Sequence, residues 1–417
     1  MTGKFAAGPR TRNGAAHGSG GYDILVLDAS MKQSLASVRS LGKAGLRVAA
    51  GESVAHLAPG VPVPAFRSRY CLHSRVLPDL VDDQPAFIAA VTRFVRDHSP
   101  RVVLPTGDVT IGVLRHHRQE LAELGCVLAL APESALEIAN DKDLTLTLAE
   151  QLGVAQPRTL RVSGVDDLAA PAAELGFPYV LKPTVSWTGM TADRLVPVDV
   201  INSGEAREVT EQFLKAGAGV LAQQWVPGRR EGVSLFIAGD EVKVACGHVA
   251  HRTTPPLGGA SAVRESIEVP DDTMHAAVLL AKAIGLQGAC EVEFRRDAEN
   301  RPLLMEINAR LAGTIENAVQ SGVDFPLMIW RWAVGQEVPP AAARRHGVRT
   351  RWLHGDMRWL AQNWRRGGRP DGMSHPQIVY TFIAEFAKSR HYDYFDRRDI
   401  KPFLAELRYT MHVLMKS

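Results

Sequence analysis

The stretch LLMEINARLAG, residues 303–313, is apolar enough for a buried strand, yet Glu306, Asn308 and Arg310 interrupt it at every second position. A strand turns alternate side chains to opposite faces. Met305, Ile307 and Ala309 therefore point one way, and an acid, an amide and a guanidinium the other. The preceding segment, GACEVEFRRDAENRP (288–302), alternates in the same manner and puts Glu291 and Glu293 on one face. DAENRP is turn chemistry, so the two strands form a hairpin. With the turn centred between Glu299 and Asn300, Glu293 falls opposite Glu306 and Glu291 opposite Asn308. Opposed Cβ atoms lie roughly 5 Å apart. Carboxylates so close repel unless a cation sits between them. Two acids and an amide carbonyl are all oxygen ligands, which suits Mg²⁺ completed by nucleotide phosphates and water. Arg310 on that face suits an anionic group. The residues alone leave a second reading open, a solvated sheet face with an ordinary Glu–Arg pair, and a register slip of one residue would break the pairing.

The chain around this hairpin has 417 residues, 46% hydrophobic and 22% charged. That is globular composition, enough for about two or three domains. A net charge of +3, from 48 basic and 45 acidic residues, gives no reason to expect a nucleic-acid partner. Cys71, Cys126, Cys246 and Cys290 are scattered without a CxxC pair, which fits a reducing cytoplasm. Residues 1–21 lack the apolar core of a signal peptide and read as a disordered tail. No apolar run approaches the ~18 residues of a membrane-spanning helix.

Strand and helix alternate over residues 22–132: YDILVLDA (22–29), SLASVRSLGKAG (34–45), LRVAAG (46–51), RVVLPTGD (101–108) and CVLALAP (126–132). This predicts an open parallel α/β domain. No Gly-x-Gly-x-x-Gly follows its first strand and no Walker A loop occurs in the chain, so neither familiar nucleotide fingerprint applies. Residues 133–335 read as α+β. A helical segment (133–153) leads to strands FPYVLKP (177–183) and GVLAQQWVPG (219–228). A hairpin follows around Gly239-Asp240, then a Gly/Pro loop at 253–266 and a helix at 271–285. Residues 336–417 carry Trp352, Trp359 and Trp364 among arginines, with a Gly/Pro break at 367–372.

The hairpin CEVEF…LLMEINAR resembles the metal-binding signature of the ATP-grasp superfamily, usually worded E-x-N-P-R, and further matches lie upstream in the right order. NDK (140–142) and YVLKP match the two nucleotide-contacting lysines. LAQQWVPG matches the strand and turn that hold adenine and ribose. The resemblance covers roughly 22–335. It implies an N-terminal α/β domain (22–132), a two-lobed ATP-grasp fold (133–335, lobes dividing near 218) and a C-terminal helical extension (336–417). It implies that Lys142 and Lys182 contact ATP phosphates and that Gln224 and Val226 line the adenine–ribose pocket, with Glu231 near the ribose. Glu293, Glu306 and Asn308 would hold Mg²⁺, or Mn²⁺ in its place, and Arg310 and Arg264 would face the reacting carboxylate and its acyl phosphate. Three departures stand out. Ala309 replaces the usual proline, Gln224 stands where glutamate is common, and the phosphate-covering loop PTVSWTGM holds the single glycine Gly189.

Read from its own residues, Lys182 ends an apolar strand before a proline, a costly place for a charge unless an anion waits there. Lys142, between Asp141 and Asp143, reads equally as a solvated helix-start residue. Arg252 and Arg264 flank the 253–266 loop and could clamp a carboxylate. His248 and His251 sit on opposite strand faces and are not a metal pair. The tryptophans of 352–364 read as core-packed beside wet arginines. The resemblance implies an ADP-forming carboxylate–amine ligase acting on small molecules, and a homodimer. A kinase on the same fold and a nucleotide-binding regulator are the alternatives.

Overall fold

The computed structural model describes residues 21–189, 195–256, 258–340, 344–365 and 373–416, the side chains of 414–416 excepted. The tail at 1–20, the end of the phosphate-covering loop and the break at 367–372 lie outside the described residues. Ile24–Val26 (β1), Val48–Ser53 (β2), Cys71–Leu77 (β3), Val102–Leu104 (β4) and Val127–Leu128 (β5) form a five-stranded sheet in the order β3-β2-β1-β4-β5. Every pairing in it is parallel. The central strands ILV and VVL are buried on both faces, as a helix-covered parallel sheet requires.

Thr159–Val162 (β6), Tyr179–Pro183 (β7), Val198–Val200 (β8) and Val220–Gln224 (β9) form a separate antiparallel sheet, β6-β9-β7-β8. Tyr179, Leu181 and Ala222 pack on Phe213 from the helix Ser203–Lys215. Lys182, between Leu181 and Pro183, is turned to the other face.

The third sheet takes up the opening hairpin. Arg230–Ala238 (β10), Glu241–Thr254 (β11), Ala260–Ile267 (β12), Gly288–Arg296 (β13), Pro302–Asn308 (β14), Arg349–Arg351 (β15) and His391–Tyr392 (β16) run in the order β14-β13-β10-β11-β12-β15-β16. Val233, Leu235, Val292, Phe294 and Leu304 belong to one buried cluster with Leu280 and Ala281 of the helix Asp271–Ala283. On the opposite face the same strands carry Arg230, Glu291, Glu293, Arg295 and Glu306.

Two sequence expectations need amendment. The C-terminal region is largely helical, through Leu353–Arg365, His375–Lys388 and Lys401–Lys416, but β15 and β16 tie it into the seven-stranded sheet. Strands of three and two residues are too short for an alternation to register. The Gly/Pro loop is also shorter than 253–266. β11 runs through Thr254 and β12 starts at Ala260, leaving the cis Thr254–Pro255 peptide and its neighbours as the connection.

Candidate active site

The hairpin register is the one the sequence suggests: Glu293 opposes Glu306 and Glu291 opposes Asn308. Near the turn the partners are Arg296–Pro302 and Phe294–Leu304, one residue tighter than a turn centred between Glu299 and Asn300, and a bulge at Met305 restores the offset. Asn308 Nδ2 donates to Glu293 Oε1 (3.4 Å) and Glu306 Oε1 (3.3 Å). Burial holds the Glu293 carboxyl well above the usual range; Arg230 opposes this, and the like charges of Glu306 and Glu291 reinforce it. Arg230 Nε lies 2.8 Å from Glu293 Oε2. Two acids and an amide on one face, bridged here by the Asn308 amide hydrogens, are an all-oxygen set of the kind that fits a hard cation. Among the described residues no group of three His, Cys, Asp or Glu side chains has metal-binding geometry, so the third ligand would have to be the amide.

Lys142 and Lys182 converge on this set. Lys142 Nζ donates to Ser186 Oγ (3.2 Å), and its backbone N–H bonds Thr184 O (2.8 Å), fixing the helix start to the end of β7. Lys142, Ser186, Trp187, Glu306, Asn308 and Asp108 line one cleft of about 500 Å³. Burial pushes the Lys182 ammonium down to about 8; Glu306 opposes this, while Lys142, Arg295 and Arg230 add to it. A lysine desolvated beside other cations is a ready anion site. Val226 is buried, and its carbonyl accepts from Arg295 Nη1 (3.0 Å). Gln224 keeps its side chain exposed and joins the fold through its backbone N–H to Arg158 O (2.8 Å).

Two assignments carried over from the resemblance, Glu231 and Arg264, and the reading of Arg252 as a loop-flanking clamp differ from what the fold does with them. Glu231 opposes Phe294, on the helix-covered face, and not Glu293. There it accepts from Thr273 Oγ1 (2.7 Å) and Arg296 Nε (2.9 Å) and is 2% exposed, so it braces the sheet instead of meeting a ribose. Arg264 does share the face of Glu291 and Glu293, but it is fully buried, paired with Asp393 and bonded to Ser261 O (3.4 Å). Arg252 binds Asp356 through Nη1 (2.7 and 2.8 Å) and stacks over Trp359, 4.2 Å from the ring centroid. It clamps the C-terminal helix, not a ligand.

Arg310 follows β14 and reaches back to Asn308. Its Nη2 donates to Asn308 Oδ1 (3.1 Å) and to Asp108 Oδ2 (3.0 Å), and its Nε also meets Asp108. Asp108 opens a helix of the parallel domain, and Asp28 Oδ2 holds the loop before it through Thr106 N (2.8 Å) and Gly107 N (2.7 Å). Sequence reading missed Asp108, Arg230, Arg295 and Trp225. Arg295 was legible, because EVEFR puts it on the face of Glu291 and Glu293. Trp225 keeps a buried indole N–H without a partner, next to Val226. His251 binds Glu265 (2.9 Å) and His248 lies 3.6 Å from Glu291, two separate places as the spacing implied.

Residues 243–355 match the family described as ATP-grasp in the biosynthetic pathway with Ter operon. Among solved structures the chain is similar to an L-amino acid ligase from Bacillus licheniformis, with TM-score 0.59 and 18% identity over 78% of each chain. It is also similar to a biotin carboxylase from Campylobacter jejuni in a β,γ-ATP complex, with TM-score 0.61 and 15% identity over 79% of this chain and 74% of that one. A third likeness is to an N5-carboxyaminoimidazole synthetase from Staphylococcus aureus complexed with ADP, with TM-score 0.56 and 12% identity over 76% of this chain and 79% of that one.

Proposed function

We propose that this chain, which has the ATP-grasp fold, is an ADP-forming ligase that activates a small carboxylate as its acyl phosphate and joins it to an amine. The observation that carries the reading is Glu293 opposite Glu306 beside Asn308, with Glu306 and Asn308 lining a cleft that Lys142 also lines. Isolated structural buttresses would not concentrate two carboxylates and an amide on one face where the buried Lys142 and Lys182 approach.

In this reading the substrate carboxylate oxygen attacks the γ-phosphorus of ATP. The bond from that phosphorus to the bridging oxygen breaks, and ADP leaves with the electron pair. The amine lone pair then attacks the acyl carbon, inorganic phosphate departs, and the nitrogen loses a proton. Nothing here needs a covalent enzyme intermediate, so the protein's work is positioning and charge compensation. Lys142 and Lys182 hold phosphate oxygens. The Trp225–Val226 linker borders the base, with the free indole N–H available to an acceptor on the nucleotide. Glu293, Glu306 and Asn308 would hold Mg²⁺, which supplies neutralisation of the phosphate charge. Arg310, steadied by Asp108, faces the anionic groups that exchange at the γ-phosphate.

The test is ADP release from the purified protein with ATP, Mg²⁺, and pools of small carboxylic acids and amines, offered together and separately. A ligase requires both pools for sustained release. ADP release with a phosphorylated product and no amine would overturn the reading in favour of a kinase.

A further inference from the structure

The charge of the chain is unevenly divided. Residues 336–417 hold 15 basic and 8 acidic side chains, against 33 and 37 in residues 1–335. Five of those eight acids, Asp356, Glu385, Asp393, Asp399 and Glu406, are buried, so the surface of the C-terminal region is left basic.

On this surface lies the helix His375–Lys388. It turns Ile378 and Glu385 inward. Outward it presents Val379, Tyr380, Ile383 and Phe386, which are 38%, 72%, 61% and 51% exposed. Their spacing of three and four residues makes one apolar stripe along a helix of about 20 Å. A surface helix ordinarily turns such a stripe to the core. The only acid of this helix, Glu385, faces the protein, where it accepts from Ser389 Oγ (2.7 Å) and Arg349 Nη1 (3.4 Å). The stripe therefore carries no exposed carboxylate. Trp364 extends the patch at the helix start, its ring 4.2 Å from that of His375. Sequence reading packed the tryptophans of 352–364 in the core. Trp359 is buried there, but Trp364 is 51% exposed.

Cations stand at both ends of the stripe. Arg365 follows Trp364, and Lys388 and Arg390 close the other end, all three exposed. This pattern discriminates between occupants. A second copy paired across a twofold axis would set the stripe against itself. Helices running antiparallel would bring Arg365 against Lys388 and Arg390, and helices running parallel would bring each cation against its like. Neither arrangement supplies a carboxylate to offset the repulsion. An anionic lipid surface meets all three cations at once and takes up the apolar side chains between them. Tryptophan and tyrosine suit the boundary between headgroups and acyl chains. No described helix is long and apolar enough to cross a membrane, so the contact is one of lying along the surface. The residues that line the cleft all lie outside 336–417, which leaves the cleft open when this face is covered.

We propose that the helix His375–Lys388, with Trp364, docks on an anionic lipid bilayer. Tyr380, Ile383 and Phe386 enter the acyl boundary, and Arg365, Lys388 and Arg390 meet lipid phosphates. The proposal is independent of the ligase reading.

The test is cosedimentation of the full chain with vesicles of phosphatidylcholine alone, or with about one quarter phosphatidylglycerol, at about 0.1 M and about 0.5 M salt. Binding to the anionic vesicles should be about tenfold or more tighter than to the neutral ones, and should weaken at the higher salt. Ile383→Glu should weaken it by about tenfold or more, and so should Lys388→Glu combined with Arg390→Glu. ADP affinity within about twofold of the parent reports an intact fold in each variant. Tyr380→Ser replaces Ile383→Glu if the latter loses ADP binding. No binding to anionic vesicles, equal binding to neutral ones, or binding indifferent to these substitutions would overturn the proposal. Self-association of the chain that Ile383→Glu abolishes, without vesicle binding, would overturn it in favour of a second copy on this face.

Discussion

Glu293 stands directly opposite Glu306 because a bulge at Met305 makes up the one residue by which the hairpin turn is tightened. The bulge keeps Phe294 and Leu304 in the core while both acids share the opposite face. A buried and a half-buried carboxylate held together oppose folding unless a cation joins them.

Glu306→Gln removes a like charge beside Glu293 but also an attraction to Lys182, Arg230 and Arg310, so the metal-free protein should change little in stability. Mg²⁺ with ADP should raise the melting temperature of the parent and not of the variant. Turnover should fall by about two to three orders of magnitude, as for other lost transition-state charge contacts. Unchanged ATP consumption would mean that the metal ligands are misassigned.

Lys182 gives a pH dependence. Its ammonium is pushed down to about 8 in the free protein, and a bound phosphate favours the charged form. Nucleotide affinity should hold steady below pH 8 and weaken above it, with proton uptake on binding in that range, read by calorimetry in buffers of different ionisation enthalpy. The same shift acts on folding with a definite sign. Below pH 8 burying the ammonium costs stability. Between about 8 and the ordinary 10.5 the unfolded chain binds more protons, so this cost is relieved as pH rises. Lys182→Met should flatten both dependences.

Asp108 should act through Arg310. Asp108→Asn removes the charge but keeps the shape of the contact that spans the parallel domain and β14. ADP affinity should be nearly unchanged, while kcat falls by up to about a hundredfold, the usual scale for a misplaced group. A rise in KM for ATP with kcat intact would instead place Arg310 on the nucleotide.

Gly228 should prove intolerant of any side chain. A Cβ there would stand 1.6 Å from the carbonyl oxygen of Arg296, a backbone atom that cannot step aside. Gly228→Ala should lower stability by roughly 2–3 kcal/mol and weaken ADP binding, because the Trp225–Val226 linker must shift. Chemical denaturation and titration with ADP read the two effects.

How far the sequence could be read follows from the length and range of each signal. The hairpin was legible because strands of nine and seven residues carry an alternation, and polar residues on one face of an apolar strand are conspicuous. The parallel domain was legible for a different reason, its wholly apolar runs such as ILV and VVL set between helical stretches. β15 and β16 were not, since strands of three and two residues show no period. Arg264 looked available because its partner Asp393 is 129 residues away in sequence. Glu231 was misplaced because one position along β10 exchanges the open face, which Arg230 takes, for the helix-covered one, which Glu231 takes.

The most direct test of the central claim is a hydroxylamine trap. The protein is incubated with ATP, Mg²⁺, hydroxylamine and a pool of small carboxylic acids, amino acids included, and the products are read by mass spectrometry beside the Glu306→Gln variant. A hydroxamate formed together with ADP, by the parent alone, is the predicted result and identifies the acid as its acyl phosphate. ATP bound and consumed with a phosphorylated metabolite and no hydroxamate would contradict the account.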